Sequence, residues 1–511
     1  MAIVNKYFFL IILVFFVLFT VRSGTSLQDP PVWPDEAIYA DILHNMQNEG
    51  RMGTDLWLDT IPGIQKHAFI YPPVFFHLLY WWFKVVPFTI VNQRVLSVVF
   101  GTLSLIATYG IMKQFRSNSI VAMLVSLGLF SINYIFMRAA TISRPEIFVL
   151  TFGLLSIYFY VKWLSFGNTK NLNYLIISSL WSSMALLTHL IGIMFIISLM
   201  ISIAVMSETA QRKKHLLLVV WSTFLAPITL WLIQNRYILD IFIEQSWMAF
   251  YRKTLESTWL QSLYISASYV PQLSSLFFMY LLSLIVLILS TILLPAARRV
   301  FSTKDFDIFK SLIIFSYVIW FFTLLGKMFW YYVFPFPFTY ILLSILLTVS
   351  YKKFKPSTKS KGVRYLKYFI VSACIYLGLA NIQIISLIHS RYKKNTYSYD
   401  RYIKDIIKNI PSNSHVFLSA IPSPYHGLFD TKNDYVLYQF PVYKITYEEY
   451  DRLLKSSEYI VFNGIHDNIM GTYIIQYIKQ NRESSVSIGS MDQYSTDIIK
   501  LVPSDKRKKV I

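Results

Sequence analysis

Ile70-Tyr71-Pro72-Pro73-Val74-Phe75-Phe76-His77-Leu78-Leu79-Tyr80-Trp81-Trp82-Phe83-Lys84-Val85-Val86-Pro87-Phe88-Thr89-Ile90 can be read in two ways. It is about as long as the ~20 residues that cross a bilayer. Yet it opens on Tyr-Pro-Pro, carries Lys84, and holds Phe75, Phe76, Trp81 and Trp82, the aromatic composition of a membrane interface. Adding or removing one crossing here exchanges the sides of every later loop.

The surrounding composition sets the class. With 55% hydrophobic, 17% aromatic and 14% charged residues over 511 positions, the chain is far from a soluble globule and reads as a polytopic membrane protein. Lys6 and the apolar run Tyr7 to Val21 predict a retained signal anchor, because Arg22-Ser23-Gly24-Thr25 is not a clear small-residue cleavage site. Further spans are expected at about 94–112, 119–137, 147–164, 173–188, 190–206, 216–234, 272–294, 309–325, 329–350 and 366–388, which makes eleven transmembrane helices.

Basic residues decide between the two readings of 70–90. If the stretch lies on the membrane surface, cytoplasmic segments hold 19 of the 30 Lys and Arg before position 389. If it spans, Arg212-Lys213-Lys214 and Lys352-Lys353-Phe354-Lys355 are forced outside, against the positive-inside rule. The expected architecture therefore has a long first outer loop with membrane-surface helices. It places Asp35, Glu36, residues 138–146, His189, residues 235–271 and Lys327 on one non-cytoplasmic face. The net charge of +20 is spent on topology and is no nucleic-acid footprint. One cysteine, Cys374, excludes intrachain disulfides and a cysteine metal cluster.

Composition changes after position 388, where 17 basic and 13 acidic residues follow with no run able to span. The expectation is a transmembrane domain over 1–388 and a soluble, extracytoplasmic α/β domain over 389–511. Strands are predicted at His415 to Ala420, Tyr435 to Phe440, Glu458 to Asn463 and Ile498 to Val502, and helices at Arg401 to Ile410, Tyr447 to Lys455 and Asn468 to Gln480. The Lys506-Arg507-Lys508-Lys509 tail is expected to be disordered.

Acid is scarce and concentrated. Of fourteen acidic residues before position 389, Asp29, Asp35, Glu36, Asp41, Glu49, Asp55 and Asp59 crowd into the first loop, around Pro31-Val-Trp-Pro-Asp35-Glu36-Ala-Ile-Tyr39. Asp35 fits a helix N-cap and a catalytic carboxylate alike. Glu146, alone among positions 60 to 207, follows Arg144-Pro145 and serves either as half of an ion pair closing a helix end or as a site residue. Lys327, on a very short connection before Trp330-Tyr331-Tyr332, is either a snorkelling lysine or a ligand for a lipid phosphate. His189 is either hydrogen-bonded between helices or a substrate contact. Trp247, Tyr251, Arg252 and Lys253 fit a lid or groove, and equally an amphipathic surface helix.

In order along the chain, Asp35-Glu36 with Tyr39, Tyr71-Pro72-Pro73, Arg94 opening a span, Arg144-Pro145-Glu146, and Lys327 with Tyr331-Tyr332 and Pro335 resemble the GT-C glycosyltransferases. The similarity is to the dolichyl-phosphate-mannose protein mannosyltransferase and aminoarabinose transferase type, over roughly residues 1 to 350. The resemblance implies inverting transfer of one sugar from a polyprenyl-phosphate carrier to an acceptor hydroxyl on the non-cytoplasmic face. The acceptor, be it lipid, glycan or protein, is left open. Asp35 takes the place of the general base; Lys327, Arg138 and Arg144 are the cations for the leaving phosphate; Glu36, Tyr39, Tyr71, Arg94, Glu146, His189, Tyr331 and Tyr332 are further substrate-binding candidates. No cofactor is required and no metal ligand set is indicated. Ile70-Tyr71 stands where aminoarabinose transferases carry Glu-Lys, so that subfamily's lysine has no equivalent, and Glu146 stands where many relatives have Asp.

The expected setting is an integral membrane protein among lipids, in the plasma membrane if bacterial. The alternatives are a lipid or lipid-linked-sugar flippase, which would place ionisable residues near the bilayer midplane, and a non-catalytic scaffold.

Overall fold

The computed structural model describes residues 2–27, 30–69, 72–166, 171–207, 209–254, 273–326, 329–353, 361–394, 397–429, 433–439, 447–463, 469–489 and 495–507. The contested stretch is not one helix. Helix α3 (Pro73–Phe83; α1 is Ala2–Ser26 and α2 Pro34–Asn48) has 11 residues, about 16 Å of rise against the ~30 Å of hydrocarbon in a bilayer. The chain turns at Lys84 to Val86, and α4 (Ile90–Gln114) restarts with Thr89 capping it by accepting from the Asn92 amide. The Trp82 indole donates to the Asn92 carbonyl at 2.8 Å, fastening the short helix to the head of the long one.

Among the described residues six helices are long and apolar enough to cross a membrane, and a seventh span arises if α5 (Ile120–Ser131) and α6 (Tyr134–Thr141), bent by 58°, are counted together. Shorter apolar helices fall at Leu172–Thr188 and Leu190–Met206, and a further apolar helix is Leu273–Ile292. The span expected at 216–234 is broken: α10 (Thr209–Val220; α7 is Pro145–Phe166, α8 Leu172–Thr188, α9 Ile193–Met206) passes into a π-helical turn at Trp221–Ile228 before α11 (Thr229–Gln234). Pro227 lies in that turn, and a proline takes one donor out of the helical ladder. The apolar runs read at 119–137 and 216–234 are thus interrupted, at 131–134 and 221–228, by packing and backbone chemistry that hydropathy does not register.

Close packing holds the bundle. Gly153 of α7 lies under the Phe195 ring of α9, where an added Cβ would sit 2.1 Å from Phe195 Cζ. Ser104 of α4 and Thr151 of α7 share a buried hydroxyl contact at 2.8 Å, which satisfies these two polar groups between the helices.

The C-terminal part forms a five-stranded mixed sheet in the order β2-β1-β3-β5-β4, from β1 (His415–Ser419), β2 (Val436–Gln439), β3 (Tyr459–Phe462), β4 (Arg482–Ile488) and β5 (Thr496–Leu501). β1 runs parallel to β2 and β3, while β5 is antiparallel to β3 and to β4. Helices Tyr399–Asn409, Tyr447–Lys455 and Ile469–Asn481 match the helical pieces read from sequence. β4 does not: its RESSVSI sequence is exposed along nearly its whole length and has no apolar alternation to read. In the basic tail, Ser504–Lys506 forms a 3₁₀ turn and Arg507 donates to the Val502 and Leu454 carbonyls; residues 508–511 lie outside the described residues. The preceding helix, Lys361–Lys394, runs unbroken through positions 388 and 389.

This sheet sits on the loop between α1 and α4. The Gln439 amide at the end of β2 donates to the Leu56 carbonyl, and the Ser423 amide to the Val32 carbonyl, both at 2.8 Å. Within the loop, residues 53 and 65 cross closely enough that a Cβ on Gly53 would meet the Gln65 carbonyl oxygen at 1.8 Å. Gln245 of α12 (Leu239–Thr254) binds the same loop, accepting from the Phe69 amide and donating to the Pro62 and His67 carbonyls.

Candidate active site

Helix α2 begins at Pro34, with Trp33 as its extended N-cap, so Asp35 and Glu36 are both in its first turn. The capping work falls to Glu36, whose carboxylate reaches back to the Trp33 amide at 2.9 Å while its own amide donates to the Trp33 carbonyl at 3.0 Å. Glu36 Oε1 also accepts from Arg94 Nε (2.9 Å) and the Ser143 amide (3.0 Å), and Oε2 from Arg94 Nη2 (2.7 Å). Four donors fill the four acceptor positions of this carboxylate. Arg94 is equally saturated: its remaining N–H groups go to the carbonyls of Pro30 (2.8 Å), Pro31 (3.0 Å) and Gly24 (3.5 Å). Glu36 and Arg94 are thus a buried clamp joining α1, α2, α4 and the turn before α7.

Asp35 points elsewhere. Its Oδ2 lies 3.2 Å from Arg144 Nη1, and among the described residues this guanidinium is its polar partner. Arg144 at the same time grips Glu146 through Nη2 (2.9 Å) and Nε (3.2 Å), and its guanidinium lies over the Trp330 ring at 4.6 Å. One cation is shared by two carboxylates. Pro145 takes the first position of α7, which sets Glu146 in the first helical turn, where its charge also suits the helix dipole. Of the two alternatives the sequence offered for Glu146, the ion pair closing a helix end is present, and the same Arg144 also meets Asp35.

Arg144, Glu146 and Trp330 line a pocket together with Arg138, Ile135, Ala139 and Ile142. Arg138, in the last turn of α6, stands 5.8 Å from the Trp33 ring. The wall is amphiphilic, with two guanidiniums at one end and an apolar flank of α6.

The other candidates fall into three groups. Tyr39 is fully buried, edge-on to Phe75 (5.0 Å) and Phe76 (6.0 Å), where it packs α2 on α3. His189 accepts from the Ile191 amide at 3.1 Å, capping the short turn between α8 and α9, and meets the Tyr331 ring at 6.0 Å. Tyr331 in turn neighbours Trp330 at 6.1 Å, while Tyr332 stacks on Tyr280 at 3.8 Å. Tyr71 and Lys327 lie outside the described residues. So do the side chains of Tyr251, Arg252 and Lys253, whereas Trp247 is exposed on α12. No group of three or more His, Cys, Asp or Glu that could hold a metal ion occurs among the described residues.

Sequence reasoning missed Asp41. Its Oδ2 accepts from Thr54 Oγ1 (2.6 Å) and the Asp55 amide (2.8 Å), and its Oδ1 from the Tyr425 hydroxyl (2.9 Å). Burial raises its carboxyl above the usual range against the pull of those three bonds. Nothing in the local sequence marks a partner 384 positions away.

A family model described as dolichyl-phosphate-mannose-protein mannosyltransferase matches residues 71–231, less than half of the chain. The fold is that of ArnT from Cupriavidus metallidurans. The structure bound to undecaprenyl phosphate superposes with a TM-score of 0.54 at 13% identity, covering 96% of this chain and 97% of that one. The apo structure gives 0.53 at 13%, over 93% and 94%. AglB, an oligosaccharyltransferase from Archaeoglobus fulgidus in complex with an inhibitory peptide and a dolichol-phosphate, gives 0.51 at 12%, over 96% of this chain and 74% of that one. No curated protein matches the sequence. The likeness to the GT-C glycosyltransferases read from the ordered motifs is borne out, and the chain is a membrane protein of that fold.

Proposed function

We propose that this chain of GT-C fold is an inverting glycosyltransferase that takes one sugar from a polyprenyl-phosphate carrier and passes it to an acceptor hydroxyl at the non-cytoplasmic membrane face. The observation that carries the reading is the Asp35–Arg144–Glu146 cluster at an amphiphilic pocket that also holds Arg138 and Trp330. The undecaprenyl phosphate in the ArnT structure and the dolichol-phosphate in the AglB structure support a carrier of that class.

Asp35 is the general base. Its carboxylate accepts the proton of the acceptor hydroxyl while that oxygen bonds to the anomeric carbon, on the face opposite the breaking bond to phosphate. The lipid monophosphate leaves with the bonding pair, and its new charge is met by guanidiniums already in place. Arg144 and Arg138 supply them from the pocket wall, and Lys327, three positions before Trp330 in the sequence, is assigned as a third cation. Glu146 fixes the Arg144 fork through two bonds, and Glu36, Arg94 and Tyr39 hold α2. The chemistry so assigned calls for no cofactor. The C-terminal sheet, docked on the loop of Asp35, shares the non-cytoplasmic side with it, which is the plasma-membrane exterior if the source is bacterial.

The test is transfer by purified full-length protein in liposomes, given a labelled polyprenyl-phosphate sugar and mixed lipid, glycan and protein acceptors. Label moving to an acceptor with inverted anomeric configuration is expected. Movement of the intact donor between leaflets without transfer would sink the enzyme reading in favour of a flippase. A reporter active only in the cytoplasm, fused after residue 400, should stay silent.

A further inference from the structure

The C-terminal unit meets the first turns of α2 at four places that bracket Asp35. The Ser423 amide donates to the Val32 carbonyl at 2.8 Å, and Gln439 Nε2 to the Pro34 carbonyl at 3.1 Å. His426, buried, lies against the Glu36 backbone. Tyr425, also buried, donates its hydroxyl to Asp41 at 2.9 Å, on the far side of Asp35. A helix start is the part of a helix with unpaired amides and the lowest local stability, so its orientation depends on what holds it from outside. Asp41 is the side chain of α2 that gathers donors from both the loop, through Thr54 and Asp55, and the C-terminal unit, through Tyr425.

We propose that Tyr425 is a positioning residue for Asp35: by holding Asp41 it fixes the turn of α2 that aims the Asp35 carboxylate at Arg144 and the pocket. The proposal rests on the reading of Asp35 as the base. It makes the C-terminal unit part of the catalytic assembly, since the helix start is held from Ser423, Tyr425, His426 and Gln439. The Glu36–Arg94 clamp holds α2 on the side of the bundle, and Asp41 holds it on the side of the C-terminal unit.

The test uses the full-length protein in liposomes, with Tyr425→Phe as the main variant. This change keeps the ring on Phe429, at 5.3 Å, and deletes one hydrogen bond. Expected are a kcat for sugar transfer lowered roughly tenfold with donor KM unchanged, and amide exchange over residues 34–48 faster by about the same factor. Asp41→Asn, which weakens the same bond from the other end, should give the same split and decides the matter if Tyr425→Phe folds poorly. Tyr435→Phe, which removes a hydroxyl bonded to the Ile410 carbonyl within the C-terminal unit, should leave both readouts at wild-type values. Wild-type kcat in Tyr425→Phe, or unchanged exchange over 34–48, overturns the proposal. If the wild-type protein transfers no sugar from any polyprenyl-phosphate donor, the parent reading fails, and the exchange arm alone then shows whether Tyr425 holds α2.

Discussion

Asp35 and Glu36 are neighbours in one helical turn, and each faces an arginine, yet their surroundings are opposite. The Glu36 side chain and Arg94 are 0% and 1% exposed, and every acceptor position of that carboxylate is filled. Asp35 and Arg144 are 10% and 14% exposed, Arg144 lines a pocket, and the Asp35 carboxylate keeps lone pairs that no described residue occupies. A saturated carboxylate cannot take up a proton without losing a bond, whereas an unsaturated one beside a cavity can. Like chemistry thus divides, through burial and hydrogen-bond count, into a fastener and a carboxylate that is suited to the role of base proposed for it.

The sharpest way to break this contrast is Asp35→Asn. It keeps size and helix start, since capping belongs to Glu36, and should lower transfer by roughly 10²- to 10⁴-fold with folding and donor binding retained. Near wild-type turnover in a folded preparation would remove Asp35 from the reaction. Glu36→Gln should act on the other axis, leaving Arg94 buried beside a neutral amide at a cost of about 3–5 kcal/mol in stability. Thermal unfolding in detergent reads this, and a variant as stable as wild type but inactive would reverse the two roles.

Arg144→Lys comes next. An ammonium retains charge but not the fork that holds Glu146 while meeting Asp35, so turnover should fall about 10- to 100-fold with melting nearly unchanged. Steady-state kinetics and melting on the same sample check both halves.

The smallest effect concerns pH. Burial pushes the His426 imidazole down to about 4, aided by the Arg94 charge and opposed by the charge and backbone carbonyl of Glu36. The docked ring is therefore neutral where an exposed histidine, near 6.5, would charge. Docking of the C-terminal unit is at full strength above pH 6.5 and weakens as pH falls toward 4. Asp41, raised by burial, contributes with the opposite sign, fullest at low pH and lost as pH rises. Comparing the pH dependence of melting in wild type and His426→Gln isolates the histidine, because Asp41 is present in both. The variant should lose part of the decline below 6.5, and parallel curves would contradict it.

Much of this arrangement was readable from the sequence. Residues 70–90 read as a membrane-surface helix, and the helix they contain, Pro73–Phe83, is too short to span although it ends sooner than that reading has it; Arg144-Pro145-Glu146 offers a pair at a helix start as one of two alternatives. Alternation and breakers marked four of the five strands. What escaped has a common cause: β4 has no apolar face to announce it, the break at Trp221–Ile228 depends on neighbours, and the Asp41–Tyr425 bond is a contact between distant positions. Local pattern reports on local geometry, and the division of labour between Asp35 and Glu36 is set by Arg94, Ser143 and Arg144, which lie outside their segment.

The bonds from Tyr425 to Asp41 and from Gln439 to Pro34 join positions 384 and 405 residues apart. At ~5–20 residues per second, about 20 to 80 seconds of synthesis separate the two ends of each bond. Through that interval α2 can be held by Arg94 but not by the C-terminal unit, whose contacts with it form only when the last fifth of the polypeptide has emerged and folded onto the first.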